Sequence, residues 1–233
     1  MNPKKKAVFN WSGGKDSALA LQKTLKNKNV EVVALFTTFN EETKKSSMHS
    51  VPLELLSKQA DSIGIPLYTM YFSKDLNNYD EKMLEAVTHF KSLGVTDFIF
   101  GDLMASGLKT YRESKLNPLG IEVIEPLWDK SSEDIIKEFL ESNIKTKIIV
   151  TQAGKLDKSY IGKTLDHELI STFPKDIDIC GEQGEYHTLA YEGPLFKEPI
   201  GFLIKNTYKT SYKFKLEDGT MQTCDYWSAH YNL

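Results

Sequence analysis

The residues best suited to bind a charged ligand form one short loop, residues 12–17. In order, they are Ser12, Gly13, Gly14, Lys15, Asp16 and Ser17. An apolar run precedes the loop and a helical pattern of apolar residues follows it, which predicts a strand, a glycine turn and a helix. Paired glycines let a ligand approach the backbone, and a helix start offers unpaired N–H groups and partial positive charge. With Lys15 and two serine hydroxyls added, the loop predicts a phosphate or pyrophosphate site.

The loop differs from the Walker P-loop at two positions. That motif requires glycine where this chain has Phe9, and serine or threonine where it has Asp16. The six residues instead resemble the S-G-G-x-D-S loop of the N-type ATP pyrophosphatases, which split ATP between the α and β phosphates and keep the pyrophosphate in this loop. The alternative is a glycine turn that binds nothing, and the strand-turn-helix context disfavours it.

A second segment, residues 178–188, concentrates carboxylates, an imidazole, a thiol and two glycines. Such a density of polar groups destabilises a fold and therefore predicts a functional site. A glutaminase elbow would require glycine where Asp178 stands, so we expect Cys180 to be a small buried residue and not a nucleophile. A zinc site at Cys180 and His187 would need two more soft ligands, and the sequence offers no clear pair.

Two further polar positions are predicted near the same edge of a sheet. Gly101 and Asp102 directly follow an apolar strand, and ligands of open parallel sheets bind at the carboxyl ends of the strands. Arg112, on the next predicted helix, is the only arginine among 29 cationic residues. A planar fork for a carboxylate or phosphate is the functional interpretation of that choice, and chance substitution is the alternative.

The order of elements predicts the fold class. Strands alternate with helices through residue 151, which predicts a doubly wound, mostly parallel α/β domain over residues 1–151. In residues 152–233 strands and helices no longer alternate: short helices come first, and strands follow that include a hairpin with its turn at Asp218-Gly219. We expect this smaller α+β part to bind the substrate.

Composition narrows the range of functions. The formal net charge is -3, which gives no indication of a nucleic-acid partner. The sequence lacks an apolar signal region and any long apolar window, so we expect neither export nor a membrane span. Two cysteines are too few for a disulfide framework, and we expect a cytoplasmic protein with reduced thiols.

Several motifs together resemble the diphthine-ammonia ligase family of ATP pyrophosphatases. In chain order they are residues 12–17, Met48-His49, Gly101-Asp102, Tyr111-Arg112-Glu113, Pro126-Leu127-Trp128 and residues 180–188. The resemblance implies an adenine nucleotide α-hydrolase-like fold, ATP as a substrate, and AMP-forming amidation of a carboxylate with ammonium. It also implies that the last of these motifs belongs to the acceptor site.

The resemblance implies roles for individual residues. Those expected to bind the nucleotide are Ser12, Gly13, Gly14, Lys15, Asp16, Ser17, His49, Gly101 and Asp102. Those expected to bind the acceptor or orient the amine are Arg112, Glu182, Gly184, Glu185, Tyr186, His187 and Thr188. We expect Asp16 and Asp102 to carry Mg²⁺, which prefers oxygen ligands. The expected catalytic residues are Lys15, Asp16, Asp102, Arg112, Glu185 and His187, with Glu185 or His187 as the base.

The acceptor is less well defined than the nucleotide chemistry. Family members that amidate diphthine on elongation factor two usually carry Tyr-Gln where this chain has Gly107-Leu108. Trp11 and residues 37–40 resemble the bacterial branch, and bacteria as a rule lack diphthamide. The acceptor is therefore diphthine, if the organism has it, or another carboxylate. A tRNA-thiolating relative would usually need catalytic cysteines or a basic RNA surface, and this chain shows neither. A nucleotide sensor without turnover and a homodimer are possibilities that the sequence leaves open.

Overall fold

A computed structural model of the chain describes residues 3–46, 50–73, 77–103, 107–215 and 220–232. The predicted nucleotide contact His49, its neighbour Met48, and the predicted hairpin turn at Asp218-Gly219 lie outside the described residues. Within the described ranges, no helix is long and apolar enough to cross a membrane.

The first half of the chain builds a five-stranded parallel sheet. Its strands are β1 (Lys5–Asn10), β2 (Val30–Asn40), β3 (Leu67–Phe72), β4 (Val95–Ile99) and β5 (Glu122–Ile124). Their order is β3-β2-β1-β4-β5, and each neighbouring pair is parallel. The chain starts in the middle, moves to one edge and then crosses to the other side. The crossing opens a crevice between the carboxyl ends of β1 and β4, where such sheets bind ligands.

Helices cover both faces of this sheet. They are α1 (Lys15–Lys26), α2 (Leu53–Ile63), α3 (Tyr79–Ser92) and α4 (Leu108–Leu116). Two further helices follow, α5 (Ser132–Glu141), which packs on α1, and the short α6 (His167–Ser171). The adjacent β1 residues Val8 and Phe9 belong to different apolar clusters, because successive side chains of a strand point to opposite faces. Phe90 of α3 packs in the cluster with Val8, and Leu21 of α1 packs with Phe9. The predicted doubly wound α/β architecture is thus confirmed.

The second sheet has four antiparallel strands. They are β6 (Lys145–Gln152), β7 (Tyr186–Glu192), β8 (Leu203–Lys215) and β9 (Met221–Asn232), in the order β7-β6-β9-β8. The expectation that residues 147–151 continue the doubly wound sheet is wrong, because β6 pairs with β7 and β9. The centre of β6, residues 148–150, is a buried apolar run, and such a run does not distinguish a buried parallel strand from a buried antiparallel one.

The two sheets share one apolar cluster. It contains Phe9 and Leu21 from the first half of the chain and Ile148 and Leu189 from the second sheet. Because the second sheet packs against α1, residues of β7 come close to the loop that precedes that helix. The division of the chain into domains at residue 151 stays a prediction.

Candidate functional site

A cavity of about 620 Å³ lies at the carboxyl ends of β1, β2 and β4 and faces the second sheet. Twelve of the predicted site residues line it. They are Ser12, Lys15, Asp16, Ser17, Gly101, Asp102, Arg112, Glu182, Gly184, Tyr186, His187 and Thr188. The fold therefore brings the loop of residues 12–17 and the segment of residues 178–188 to one cavity, although they are far apart in sequence.

The glycine loop is folded by its own hydroxyls and by its neighbours. Gly13 has φ +81°, and a Cβ there would lie 2.7 Å from both Gln59 Oε1 and Leu56 Cδ2. The N–H of Gly14 donates to Ser12 Oγ at 3.3 Å, and the N–H of Ser12 donates to Ser17 Oγ at 3.2 Å. Neither glycine lines the cavity, and the left-handed backbone and close neighbours of Gly13 require a glycine at that position.

Gln59 of α2 fixes this loop and was missed by the sequence analysis. Its amide oxygen accepts from Trp11 Nε1 at 2.9 Å, and its amide nitrogen donates to the carbonyls of Gly13 at 3.2 Å and Ala190 at 2.6 Å. The side chain is fully buried. The sequence does carry a signal for this role: Gln59 is a polar residue on the apolar face of α2, three positions after Leu56.

Lys15 lies buried at the floor of the cavity. Its Nζ is 2.7 Å from Asp16 Oδ2 and lies 5.6 Å from the centre of the Tyr186 ring. Burial is the largest single influence and lowers the pKa of Lys15. The negative charge of Asp16, together with its hydrogen bond with Lys15 and smaller contributions from Tyr186 and Cys180, outweighs burial, so the pKa of Lys15 lies above its usual value. Lys15 is therefore a permanent cation at the place where the sequence predicts pyrophosphate.

Thr188 connects the two motifs. Its Oγ1 accepts the backbone N–H of Lys15 at 2.9 Å, a contact between residues 173 positions apart. The carbonyl of Gly13 accepts the N–H of Ala190 at 2.8 Å, two residues further along β7. These bonds hold the start of α1 against β7, so Thr188, predicted to bind the acceptor, contacts the nucleotide loop itself.

Gly101 allows β4 and α1 to approach each other closely. A Cβ at this position would lie 2.9 Å from the Cα of Ser17, which is backbone and cannot swing aside. The close approach places Asp102 beside the first turn of α1, where Asp16 also lines the cavity.

Arg112 lines the cavity as predicted, and it is already bound to carboxylates of the chain. Its Nη1 donates to Asp102 Oδ2 and, at 3.0 Å, to Glu125 Oε1. Its guanidinium carbon lies 3.8 Å from the centre of the Phe100 ring, a cation–π contact. Glu125 and Phe100 were missed by the sequence analysis. They flank motifs that it used, but pairing with Arg112 is not encoded in their spacing.

The segment of residues 178–188 does not bring all of its polar side chains to the cavity. Glu185, predicted as a base, is fully buried and lies outside the cavity lining. Its Oε2 accepts the N–H of Gln183 at 3.0 Å, and its Oε1 accepts the N–H of Asp178 at 3.4 Å. Glu185 therefore folds its own loop. His187 and Glu182 line the cavity instead.

Glu182 lies at the rim with an exposed side chain. The cavity walls still reduce its hydration, and the negative charge of Asp16 adds to that effect. Together they raise the pKa of Glu182 to about 7. Its carboxyl group consequently changes charge near neutral pH.

Cys180 is buried, as expected. Its Sγ donates to the carbonyl of Ser132 at 3.1 Å, and burial raises the pKa of the Cys180 thiol to about 12. A protonated thiol is a poor nucleophile, so the geometry agrees with its exclusion from catalysis.

The described residues contain no group of three or more histidine, cysteine, aspartate or glutamate side chains able to hold a metal ion. Asp16 and Asp102 do line the same cavity and supply carboxylate oxygens. Mg²⁺ is typically bound by one or two carboxylates together with substrate phosphates and water. This donor set fits Mg²⁺ that arrives with a nucleotide, and it does not resemble a closed metal cage.

Two family models match the chain. The model of the diphthamide synthase N-terminal domain matches residues 5–123, and that of the diphthamide synthase C-terminal domain matches residues 131–221. Together they include parts of both sheets and all of the cavity-lining residues except Tyr226.

Curated proteins similar to the chain carry the name diphthine--ammonia ligase. The Homo sapiens protein is 27% identical over 213 residues, with 81% of this chain and 79% of that protein covered. The Mus musculus protein is 26% identical over 216 residues, with 81% and 79% covered. The Schizosaccharomyces pombe protein is 27% identical over 223 residues, with 86% of this chain but 36% of that protein covered.

Among solved structures, one match is the crystal structure of a predicted subunit of tRNA methyltransferase from Methanocaldococcus jannaschii. The TM-score is 0.46 at 14% identity, with 81% of this chain and 98% of that chain covered.

Proposed function

Because the chain belongs to the diphthamide synthase family, we propose that it is an ATP-dependent ligase that forms AMP and amidates a carboxylate with ammonium. The relatives named diphthine--ammonia ligase support this type of reaction. The observation that carries the proposal is the single cavity that joins residues 12–17 to residues 178–188. A ligase of this kind must hold the nucleotide and the acceptor next to each other.

In the proposed reaction, the acceptor carboxylate attacks the α-phosphorus of ATP, and pyrophosphate leaves. Ammonia then attacks the resulting acyl-adenylate, and AMP leaves. Stabilising the departing pyrophosphate is the main electrostatic task. We assign it to the loop of residues 12–17, and chiefly to Lys15, which stays charged.

Asp16 and Asp102 are the proposed ligands of Mg²⁺. Mg²⁺ would neutralise charge on the phosphate oxygens during bond cleavage. The support for this assignment is that both carboxylates line the cavity beside the helix start that would bind the phosphates. Arg112 binds both Asp102 and Glu125, so Arg112 would keep one carboxylate partner if Asp102 bound the ion.

The acceptor is proposed to enter from the side of the second sheet. Glu182 and His187 line that part of the cavity, and we assign the base that deprotonates ammonium to one of them. Glu185 is not assigned as the base, because its carboxylate accepts from backbone N–H groups and lies outside the cavity lining. Arg112 adds positive charge where the acceptor carboxylate and the α-phosphate would meet.

Diphthine is the proposed acceptor, because the similar proteins are named diphthine--ammonia ligase. Another carboxylate is the second candidate. We also propose a cytoplasmic protein without a nucleic-acid partner, which the net charge of -3 and two free cysteines support. Homodimer formation and the division into domains at residue 151 remain proposals from the sequence.

Product analysis tests the proposed function. The protein is incubated with ATP, Mg²⁺ and ammonium, with and without elongation factor two that carries diphthine. AMP and pyrophosphate in equal amounts, together with amidated factor, are the expected products. ADP and phosphate would contradict the proposal. ATP binding without any product in the presence of the diphthine-bearing factor would contradict diphthine as the acceptor and leave the other acceptor class.

A further inference from the structure

Glu125 is a buried carboxylate behind the cavity wall. It directly follows β5, its side chain is 0% exposed, and its Oε1 accepts from Arg112 Nη1 at 3.0 Å. Among the described residues, its Oε2 has no hydrogen-bond partner. An unpaired buried carboxylate oxygen destabilises a fold. Stability alone therefore does not account for a glutamate at this position.

The two carboxylates that share Arg112 differ in their freedom to leave it. Asp102 lines the cavity and its side chain is 34% exposed, whereas that of Glu125 is fully enclosed. Phe100 also contacts Arg112, with its ring centre 3.8 Å from the guanidinium carbon. If one partner exchanges Arg112 for a ligand in the cavity, that partner is Asp102.

From this asymmetry we infer that Glu125 is a positioning residue for the magnesium site: it retains Arg112 when Asp102 turns from Arg112 to a divalent cation that enters with ATP. This inference rests on the proposed function and deepens it, because it assigns a residue that sets the magnesium requirement. Glu125 acts only through Arg112 and Asp102, and it touches neither nucleotide nor metal.

The energetic argument concerns the charge that is left behind. Arg112 is 17% exposed, so releasing Asp102 without a second anion would leave a largely buried cation unpaired. Breaking a buried ion pair by removing one partner is strongly unfavourable. Glu125 keeps the guanidinium paired throughout, and the exchange at Asp102 then becomes easier.

The test measures how much Mg²⁺ is required for the binding of α,β-methylene-ATP, which cannot be cleaved between its α and β phosphates. Glu125→Gln keeps the size and one hydrogen-bond acceptor but removes the charge. A charged hydrogen bond is about twice as strong as a neutral one, so we expect the half-saturating Mg²⁺ concentration to rise by about fivefold. An unchanged Mg²⁺ titration in the folded variant would overturn the inference.

A double variant shows whether the effect passes through Asp102. In the Asp102→Asn background, adding Glu125→Gln should shift the half-saturating Mg²⁺ concentration by less than about twofold, because residues that act as a unit are not additive. If Glu125→Gln raises the half-saturating Mg²⁺ concentration by the same factor with and without Asp102→Asn, Glu125 does not act through Asp102, and the inference would be wrong.

Asp97→Asn is the matched control. Asp97 of β4 is also buried, has an oxygen without a hydrogen-bond partner among the described residues, and lies 3.8 Å from a cation, Lys5. It lies outside the cavity lining, so its variant should not alter the Mg²⁺ titration. If Asp97→Asn raises the half-saturating Mg²⁺ concentration as much as Glu125→Gln does, the effect is a general result of losing a buried charge, and the inference would be wrong. The Mg²⁺ titration measures binding and does not require turnover. If the wild-type protein binds the analogue with Mg²⁺ but forms no AMP from ATP, the proposed function fails, and the titration still tests the role of Glu125.

Discussion

The backbone N–H of Lys15 donates to the hydroxyl oxygen of Thr188 at 2.9 Å, so the start of α1 is anchored on the second sheet. Through this bond, the loop predicted to bind phosphate and the segment predicted to bind the acceptor become neighbours. The contact lies between the two parts of the chain that the family models match separately.

We predict that Thr188→Val lowers stability by about 1–2 kcal/mol, because the buried N–H of Lys15 loses its acceptor. Urea unfolding measures the loss. Thr188→Ser should restore most of it, since serine keeps the hydroxyl. A valine variant as stable as wild type would mean that the bond contributes nothing net.

Lys15→Ala is expected to reduce ATP turnover by at least about a hundredfold, because a desolvated, charge-assisted contact to phosphate is lost. Steady-state AMP formation is the measurement, with pyrophosphate affinity as a second readout. Lys26→Ala, at the exposed end of the same helix, is the control and should behave as wild type. Normal turnover in the Lys15 variant would remove the loop from the mechanism.

Gly101→Ala should destabilise the protein by about 1–3 kcal/mol and weaken ATP binding, because the new Cβ would lie 2.9 Å from the Cα of Ser17. Gly201→Ala is matched to it, since a Cβ there meets nothing within 4 Å. Thermal unfolding and nucleotide titration of the two variants give the comparison. Equal behaviour of both would show that β4 and α1 can separate without consequence.

The raised pKa of Glu182 predicts a pH dependence of stability. Its carboxyl group ionises near pH 7 in the folded chain and near 4.5 when unfolded. The folded state therefore binds more protons between these values, and stability falls as pH rises through that window. Relative to Glu182→Gln, metal-free wild type should lose stability from pH 4.5 to 7 and change no further above it. Glu31→Gln, at an exposed strand position, is the control. A difference between wild type and Glu182→Gln that does not vary with pH would contradict the assignment.

The sequence predicted those parts of the site that are local in the chain. Residues 12–17 carry strand, turn and helix signals within a few positions, and Arg112 was conspicuous by its residue type. Gln59 and Glu125 were missed because their partners lie 46 and 13 residues away and follow from packing, not from spacing. The placement of Glu185 could not be predicted either, since its chemistry suits both a base and a backbone acceptor. Because the side chain of Glu185 is buried beside backbone N–H groups, it acts as a backbone acceptor.

An isotope-transfer experiment tests the central claim most directly. The acceptor carboxylate is labelled with ¹⁸O and incubated with the protein, ATP, Mg²⁺ and ammonium, and the AMP is analysed by mass spectrometry. If the carboxylate attacks the α-phosphorus and ammonia opens the adenylate, one ¹⁸O per turnover appears in AMP. Unlabelled AMP, or ¹⁸O in inorganic phosphate with ADP as the nucleotide product, would contradict the account.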